Sequence, residues 1–131
     1  MNMIAKTLAK CFGVGLIIIG IAGVIPNGAI GAEGFLETDM AGNAIHIAFG
    51  LLLLANSFKG ESTAAMGHFL VAGLSFLLAA VGYKAVGNYG RALVFDIVQV
   101  SPILNYFHAG LACSLAVCGM LNTSSRQLIR D

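Results

Sequence analysis

Residues 62–83 read STAAMGHFLVAGLSFLLAAVGY, a run of 22 residues without a Lys, Arg, Asp or Glu. Three further runs lack charged residues in the same way, at 11–32, 40–58 and 97–125, and they are 22, 19 and 29 residues long. An α-helix needs about 20 apolar residues to cross the hydrocarbon core of a bilayer. The four runs therefore predict four transmembrane helices, at about 4–24, 41–57, 63–83 and 102–121.

The composition leaves little chain for a soluble domain. Of the 131 residues, 58% are hydrophobic and 10% are charged, whereas soluble domains carry about 25% charged residues. Lipid offers no hydrogen-bond partner to the backbone, so a span must be a helix or part of a closed barrel. The charge-free runs are too long and too uniformly apolar for barrel strands. We predict an all-α, antiparallel four-helix membrane bundle that forms a single membrane domain over residues 1–131.

Basic residues predict the orientation of the bundle. Four spans place both termini and the loop after the second span on one side of the membrane. That side carries five of the seven basic residues, namely Lys6, Lys10, Lys59, Arg126 and Arg130. The positive-inside rule then places both termini in the cytoplasm. The net charge of +1 and the absence of a basic cluster give no indication of a nucleic-acid partner.

The first span has a second interpretation. Lys6 and Lys10 precede an apolar stretch that ends at Ala29, Ile30 and Gly31, which is the order of features in a cleaved signal peptide. The stretch is close to full spanning length, and this favours a first helix that is retained.

A weak repeat relates the two halves of the chain. Asn43 and His46 in the second span recur as Asn105 and His108 in the fourth, at an offset of 62 residues. The same offset places Gly20 onto Gly82 and Gly13 onto Ser75, in the first and third spans. The repeat predicts two helical hairpins of the same topology, related by a pseudo-twofold axis along the membrane normal.

The candidate site residues are the histidines within the spans, because a strongly polar side chain there is expensive. His46 and His108 each lie one to two turns into a helix that enters from the outer side, so both should point into the bundle at similar depth. Asn43 and Asn105 precede them by three residues on the same helix face. Each amide could accept from a ring nitrogen and so orient the histidine, as outer-shell groups do around metal ligands.

Small residues follow each candidate histidine. Gly50 and Ala112 come one turn after His46 and His108, where they could leave space beside the ring for a flat tetrapyrrole. Three interpretations stay open: a polar clamp that fixes the bundle, axial ligation of haem or a chlorophyll-type magnesium, and a path for protons or small solutes. The clamp is favoured, and it needs no cofactor.

His68 is a weaker candidate. It enters from the inner side, in the opposite leaflet, and we predict an interfacial histidine rather than a cofactor ligand. Cys11, Cys113 and Cys118 match no metal or redox spacing and are expected to be small packing residues. No metal site and no catalytic arrangement can be placed on the predicted topology. Residues 89–101 are too short for a span and are expected to lie on the outer surface or to dock there.

The predicted function is that of a small non-enzymatic accessory subunit. Stripes of small residues and the apolar outer segment around Val94 would pack against larger membrane proteins, or against further copies of the chain. Two alternatives are a tetrapyrrole-binding subunit of an electron-transfer or photosynthetic assembly, and a transporter of protons or small solutes. A transporter would need a polar path, for which the spans offer mainly Ser57, Ser75 and Ser114.

The motifs Asn43-x-x-His46 and Asn105-x-x-His108, each opening a span and followed by small and leucine-rich residues, resemble a family of uncharacterised bacterial four-helix membrane proteins. The similarity extends from the first span to Leu121, with Ala112 where the family pattern has Gly. It implies a four-helix membrane fold in a bacterial inner membrane, or in an internal membrane derived from it. The family has no assigned activity to carry over.

Overall fold

A computed structural model describes residues 4–127, with side chains as far as Leu121. The elements in chain order are α1 (Ile4–Ala22), β1 (Ile30–Gly31), β2 (Leu36–Glu37), α2 (Met40–Lys59), α3 (Glu61–Val86), β3 (Ala92–Val94), β4 (Val98–Val100) and α4 (Pro102–Gln127). The orientation prediction also used Arg126 and Arg130, whose side chains lie outside this description, as do the ends of the predicted domain at 1–3 and 128–131.

Each of the four helices contains a segment long and apolar enough to cross a membrane. The prediction of a multi-pass, helical membrane protein is thus confirmed at this level. The helices differ from the predicted spans at their ends. Gly60 alone separates α2 from α3, with a φ of +133° that favours glycine, so both helices run further than predicted.

The core lies where all four helices meet. Its fully or nearly buried members are Leu16 of α1, Phe49 and Leu53 of α2, Val71 and Ala72 of α3, and Leu111 and Leu115 of α4. Helix α1 packs mainly against α2, and α3 packs mainly against α4. The structure is therefore a helical bundle made of two tightly packed helix pairs around one apolar centre.

A close backbone approach joins α1 to α2. A Cβ on Gly50 would run into the Gly13 carbonyl oxygen and Ile17, and a Cβ on Gly13 would run into the Gly50 carbonyl oxygen. Small residues permit this approach, and dispersion contacts between the two backbones are a main source of helix association in lipid.

Two small sheets connect the helices at one end of the bundle. Strands β1 and β2 pair in parallel, whereas β3 and β4 form an antiparallel hairpin in which Leu93 pairs with Gln99. We call this the sheet end, and the end at Gly60 the turn end. Residues 89–101, predicted as an outer surface segment, thus contain a β-hairpin with large exposed apolar side chains at Leu93, Phe95 and Ile97.

Polar contacts fasten the two connections to each other. Arg91 Nη2 lies 2.7 Å from Glu37 Oε1. Asp39 accepts from the Gly42 N–H at the start of α2 and, through its other oxygen, from the Gln99 N–H of β4. The β3–β4 hairpin is therefore tied both to the first connection and to the start of α2.

Candidate functional site

The central polar feature of the bundle is a contact between His46 and His108. Their Nε2 atoms are 3.3 Å apart, and the ring centroids are 5.4 Å apart with an interplanar angle of 42°. His46 is 0% exposed and His108 is 5% exposed. One helix of each tightly packed pair contributes a ring, so the contact joins α1–α2 to α3–α4.

An aromatic side chain, Phe107, packs against both histidine rings. Phe107 meets His46 in an edge-on arrangement with ring centroids 5.5 Å apart, and it lies 5.8 Å from the His108 ring. Polar groups in a span are stabilised by such interhelical contacts, which average well under 1 kcal/mol in measured membrane proteins, about 0.6 kcal/mol. Two neutral rings can share one N–H···N hydrogen bond across the gap.

The geometry does not fit a tetrapyrrole held between the two rings. Metal–nitrogen bonds of about 2.0 Å on opposite faces of a macrocycle would put the two nitrogens about 4 Å apart, with the macrocycle between them. The observed 3.3 Å and the tilt of the rings leave no such slot. Neither ring points outward beside a lipid-facing notch, because both are buried.

The predicted Asn–His hydrogen bonds are wrong. Asn43 Oδ1 accepts instead from the Thr38 hydroxyl, and His46 Nδ1 has no partner among the described residues. Asn105 likewise makes no hydrogen bond to His108, since neither its Oδ1 nor its Nδ2 has a partner in the described part of the chain. The connection before α2 places the Thr38 hydroxyl against Asn43, and His46 Nε2 lies instead against the His108 ring.

The predicted space beside the rings is also wrong for Gly50. The backbone of α1 occupies it, at Gly13 and Ile17. Ala112 is buried and lines a shallow lipid-facing depression between α3 and α4, with Phe69 and Phe76. Both small residues serve helix packing, because close approach of helices needs them on the facing surfaces.

His68 is buried within the bundle. It is 0% exposed, and neither ring nitrogen has a partner among the residues that the structure describes. It is not part of the His46–His108 contact. Nearby on the turn side, Glu61 accepts a hydrogen bond from the Lys6 N–H in the first turn of α1, at 3.2 Å.

Apolar side chains separate the two histidine levels. Phe49 and Leu111 follow His46 and His108 by three residues, and Val71 follows His68 by three. These residues belong to the core to which all four helices contribute. Ser57 and Ser75 are buried; Ser57 Oγ donates to the Leu54 carbonyl of its own helix, and Ser75 Oγ has no partner among the described residues.

Thr38 and Ser101 were not among the predicted site residues, nor was it predicted that the Asn105 amide has no partner among the described residues. Thr38 lies five residues before Asn43 and is buried against it. Ser101 Oγ accepts from the Leu104 N–H at 3.3 Å at the start of α4. A Ser or Asp directly before an apolar run is a signal for a helix N-terminus and could have located Asp39 and Ser101.

Metal ligands do not cluster in the part of the chain that the structure describes, where no group of three or more His, Cys, Asp and Glu could hold an ion. Cys11 and Cys113 are exposed and Cys118 is buried, all three as free thiols. Comparisons of the chain with protein-family models, curated proteins and solved structures found no match.

Proposed function

We propose that the protein is a non-enzymatic accessory subunit that packs against a larger protein in the same membrane. The residues that fill the interior of the bundle support this class of function. The His46–His108 contact and the apolar layer beneath it occupy the centre of the bundle, which disfavours both a core-bound tetrapyrrole and a conducting path. The functional surface is then the outside of the bundle.

The observation that carries the proposal is the β3–β4 hairpin. Phe95 is 84% exposed, and it is flanked on the hairpin by Leu93 and Ile97, which are also exposed. Phe95 and Asp96 form a two-residue turn with φ of +54° and +57°, closed by a hydrogen bond from the Ile97 N–H to the Val94 carbonyl. Such turns favour Asn-Gly, because left-handed backbone costs other residues about 1 to 2 kcal/mol.

A bulky apolar residue kept in a strained turn is expected where function needs it. The bracing through Arg91 and Asp39 holds this apolar tip in a fixed position. A rigid exposed aromatic side chain is the typical anchor of a protein–protein interface. We infer that the tip inserts into an apolar pocket on the sheet-end face of a partner membrane protein.

The bundle is proposed to be antiparallel and built from two related hairpins. Equivalent elements begin 62 residues apart: β1 at Ile30 and β3 at Ala92, β2 at Leu36 and β4 at Val98, α2 at Met40 and α4 at Pro102. The helix-start acceptors Asp39 and Ser101 keep the same offset, as do His46 and His108. These coincidences support a duplicated α-β-β-α unit with the histidine pair close to the pseudo-twofold axis.

The proposed location follows from the sequence. Lys6, Lys10 and Lys59 support cytoplasmic termini, so the sheet end faces outward. The Asn-x-x-His motifs support a relation to the uncharacterised bacterial four-helix proteins, and hence a bacterial inner membrane or a membrane derived from it. The alternative of a homo-oligomer is resolved by the test below.

The test uses a variant that keeps the turn and removes the apolar tip, Phe95→Asn combined with Asp96→Gly. After mild solubilisation of native membranes, the wild type should migrate on blue-native gels in a large complex, and the double variant as a small species. Phe35→Ser, at a 73% exposed aromatic residue in the other connection, is the control and should leave the complex intact. Wild-type migration as a lone small species contradicts the proposal, and a complex holding only this chain points to a homo-oligomer instead.

A further inference from the structure

A polar pocket opens at the sheet end, between the chain segment before β3 and the first turn of α4. It has a volume of about 390 Å³, and Glu37, Asn88, Arg91, Ser101 and Ile103 are among the residues that line it. This volume falls in the range of small-molecule sites, about 300–1,000 Å³. The charged lining residues are one carboxylate and one guanidinium, so the pocket presents both signs of charge and no net formal charge.

The ion pair in this pocket retains hydrogen-bonding capacity. Arg91 Nη2 lies 2.7 Å from Glu37 Oε1, and their side chains are 55% and 21% exposed. Among the described residues, the other guanidinium nitrogens of Arg91 and the second carboxylate oxygen of Glu37 make no hydrogen bond. A guanidinium has five N–H donors, and a carboxylate has two accepting oxygens. The pair can therefore receive one further anion and one further cation from the pocket.

Three neutral groups add donors beside the ion pair. Asn88 Oδ1 accepts from the Tyr106 hydroxyl at 3.1 Å, which leaves the amide Nδ2 as a donor. Ser101 is 2% exposed; its Oγ accepts from the Leu104 N–H, and its own proton has no acceptor among the described residues. The Ile103 N–H belongs to the first turn of α4, where backbone donors lack a partner within the helix and the helix dipole favours an anion.

The matching positions in the first half of the chain offer no such site. At the offset of 62 residues, Ala29 stands in place of Arg91, so the guanidinium is missing. Asp39 stands in place of Ser101, and its carboxylate at the start of α2 would repel an anion. The combination of cation, carboxylate and uncharged helix start thus occurs only in the second connection of the proposed repeat.

We propose that this pocket binds the headgroup of a phospholipid that carries both a phosphate and a primary ammonium, as phosphatidylethanolamine does. The phosphate accepts from the Arg91 guanidinium and the Asn88 amide, and the ammonium donates to the second carboxylate oxygen of Glu37. Two carbons join the ester oxygen of the phosphate to the ammonium. The headgroup can therefore lie alongside the Arg91–Glu37 pair with its charges in the opposite order.

The position of the pocket agrees with a lipid ligand. The candidate membrane span of α4 begins at Pro102, so the pocket lies at the end of the span, where headgroups meet the hydrocarbon core. Ile103 and Tyr106 are 37% and 61% exposed on the first turns of α4, and the acyl chains would run along them. The site excludes the apolar tip at Phe95 and does not rest on the proposed subunit role.

Lipid titrations followed by native mass spectrometry test the headgroup. The purified full chain in detergent is titrated with phosphatidylethanolamine, phosphatidylcholine and phosphatidylglycerol of the same acyl chains. The Kd for phosphatidylethanolamine should be about tenfold lower than for the other two, because choline has no N–H to donate and glycerol carries no positive charge. Equal values for the three lipids, or tightest binding of phosphatidylglycerol, overturn the proposal. Soluble glycerophosphoethanolamine that binds as tightly as the lipid overturns the assignment to a lipid.

Two variants test the roles of the lining residues. Glu37→Gln keeps an acceptor for Arg91 but removes the negative charge, and it should abolish the preference for phosphatidylethanolamine over phosphatidylglycerol. Glu33→Gln removes an exposed carboxylate of the same connection that does not line the pocket, and it should keep the preference.

Asn88→Asp keeps an acceptor for the Tyr106 hydroxyl but replaces the amide donor by a carboxylate, and it should raise the Kd about tenfold. An unchanged preference in Glu37→Gln, or an unchanged Kd in Asn88→Asp, contradicts the assignment.

Discussion

The two helix pairs of this bundle differ in the residues through which their helices pack. In α1–α2, Gly13 and Gly50 bring the backbones together, and Asn43 is bonded to Thr38. In α3–α4, the matching positions carry Ser75 and Ala112, and grooves open on the lipid face. The comparison teaches that matching positions of the proposed repeat are satisfied differently: the Asn43 amide is bonded within the first pair, whereas the Asn105 amide has no hydrogen-bond partner among the described residues.

The largest effect is expected where the tight pair is forced apart. In Gly50→Ala the new Cβ meets the Gly13 carbonyl oxygen and Ile17, so α1 and α2 must separate. We expect a loss of about 3 kcal/mol in the free energy of unfolding, the upper end for overpacking. Ala112→Gly, at the position of α4 that matches Gly50, should cost about 1 kcal/mol, from helix propensity. Unfolding in mixed micelles, followed by circular dichroism, measures both, and equal losses would show that the pairs are packed alike.

The next largest loss of stability is expected at the His46–His108 contact between the two helix pairs. His46→Leu or His108→Leu leaves the other Nε2 buried without a partner, and each should lower the free energy of unfolding by about 1 to 2 kcal/mol. The double variant should lose less than the two single losses combined, because the shared contact is removed only once. Strict additivity would mean that the two rings do not interact.

A smaller loss of stability is expected when the hydrogen bond to the Asn43 amide is removed. Thr38→Val removes the hydroxyl that Asn43 accepts from and makes the first half resemble the second. The free energy of unfolding should fall by about 1 kcal/mol. Ser114→Ala, which removes an exposed hydroxyl bonded within its own helix, is a suitable control and should change stability little. A neutral Thr38→Val would show that the bond contributes nothing net.

The smallest effect, a gain in stability, is expected when the second half is given the hydroxyl that Thr38 supplies in the first half. Val100→Thr supplies a hydroxyl five residues before Asn105, in the relation that Thr38 has to Asn43. Unfolding in the same micelles should require about 0.5 kcal/mol more free energy, the typical worth of one hydrogen bond between membrane helices. In Val100→Thr combined with Asn105→Leu the gain should disappear. If the gain survives in the combined variant, it comes from packing of the β4 strand and not from a hydrogen bond to Asn105.

The spans were predictable from the sequence because lipid excludes charge over a fixed length. The charge-free runs around Leu53 and Val71 each form a helix that is long and apolar enough to cross the bilayer. The repeat of Asn and His also directed attention to His46 and His108, which the structure brings together. Here the pattern was informative because polar residues are few, so each one that recurs stands out.

Side-chain partners were not predictable in the same way. Spacing placed Asn43 beside His46, but the connection before α2 places the hydroxyl of Thr38, a residue outside the predicted span, against it. The strands at Ala92–Val94 and Val98–Val100 are too short to show a period. The burial of His68 depended on how neighbouring helices cover it, which a single sequence does not record.

The histidine contact also sets an order of events during synthesis. His46 leaves the ribosome 62 residues ahead of His108, a delay of roughly 3 to 12 s at ordinary rates of translation. The contacts between α1 and α2 are local in sequence, so the first helix pair can assemble in the membrane before its counterpart emerges. Until then His46 lies in the nascent pair without the ring that covers it. The half-finished bundle therefore carries one uncovered imidazole, and the arrival of α4 covers it.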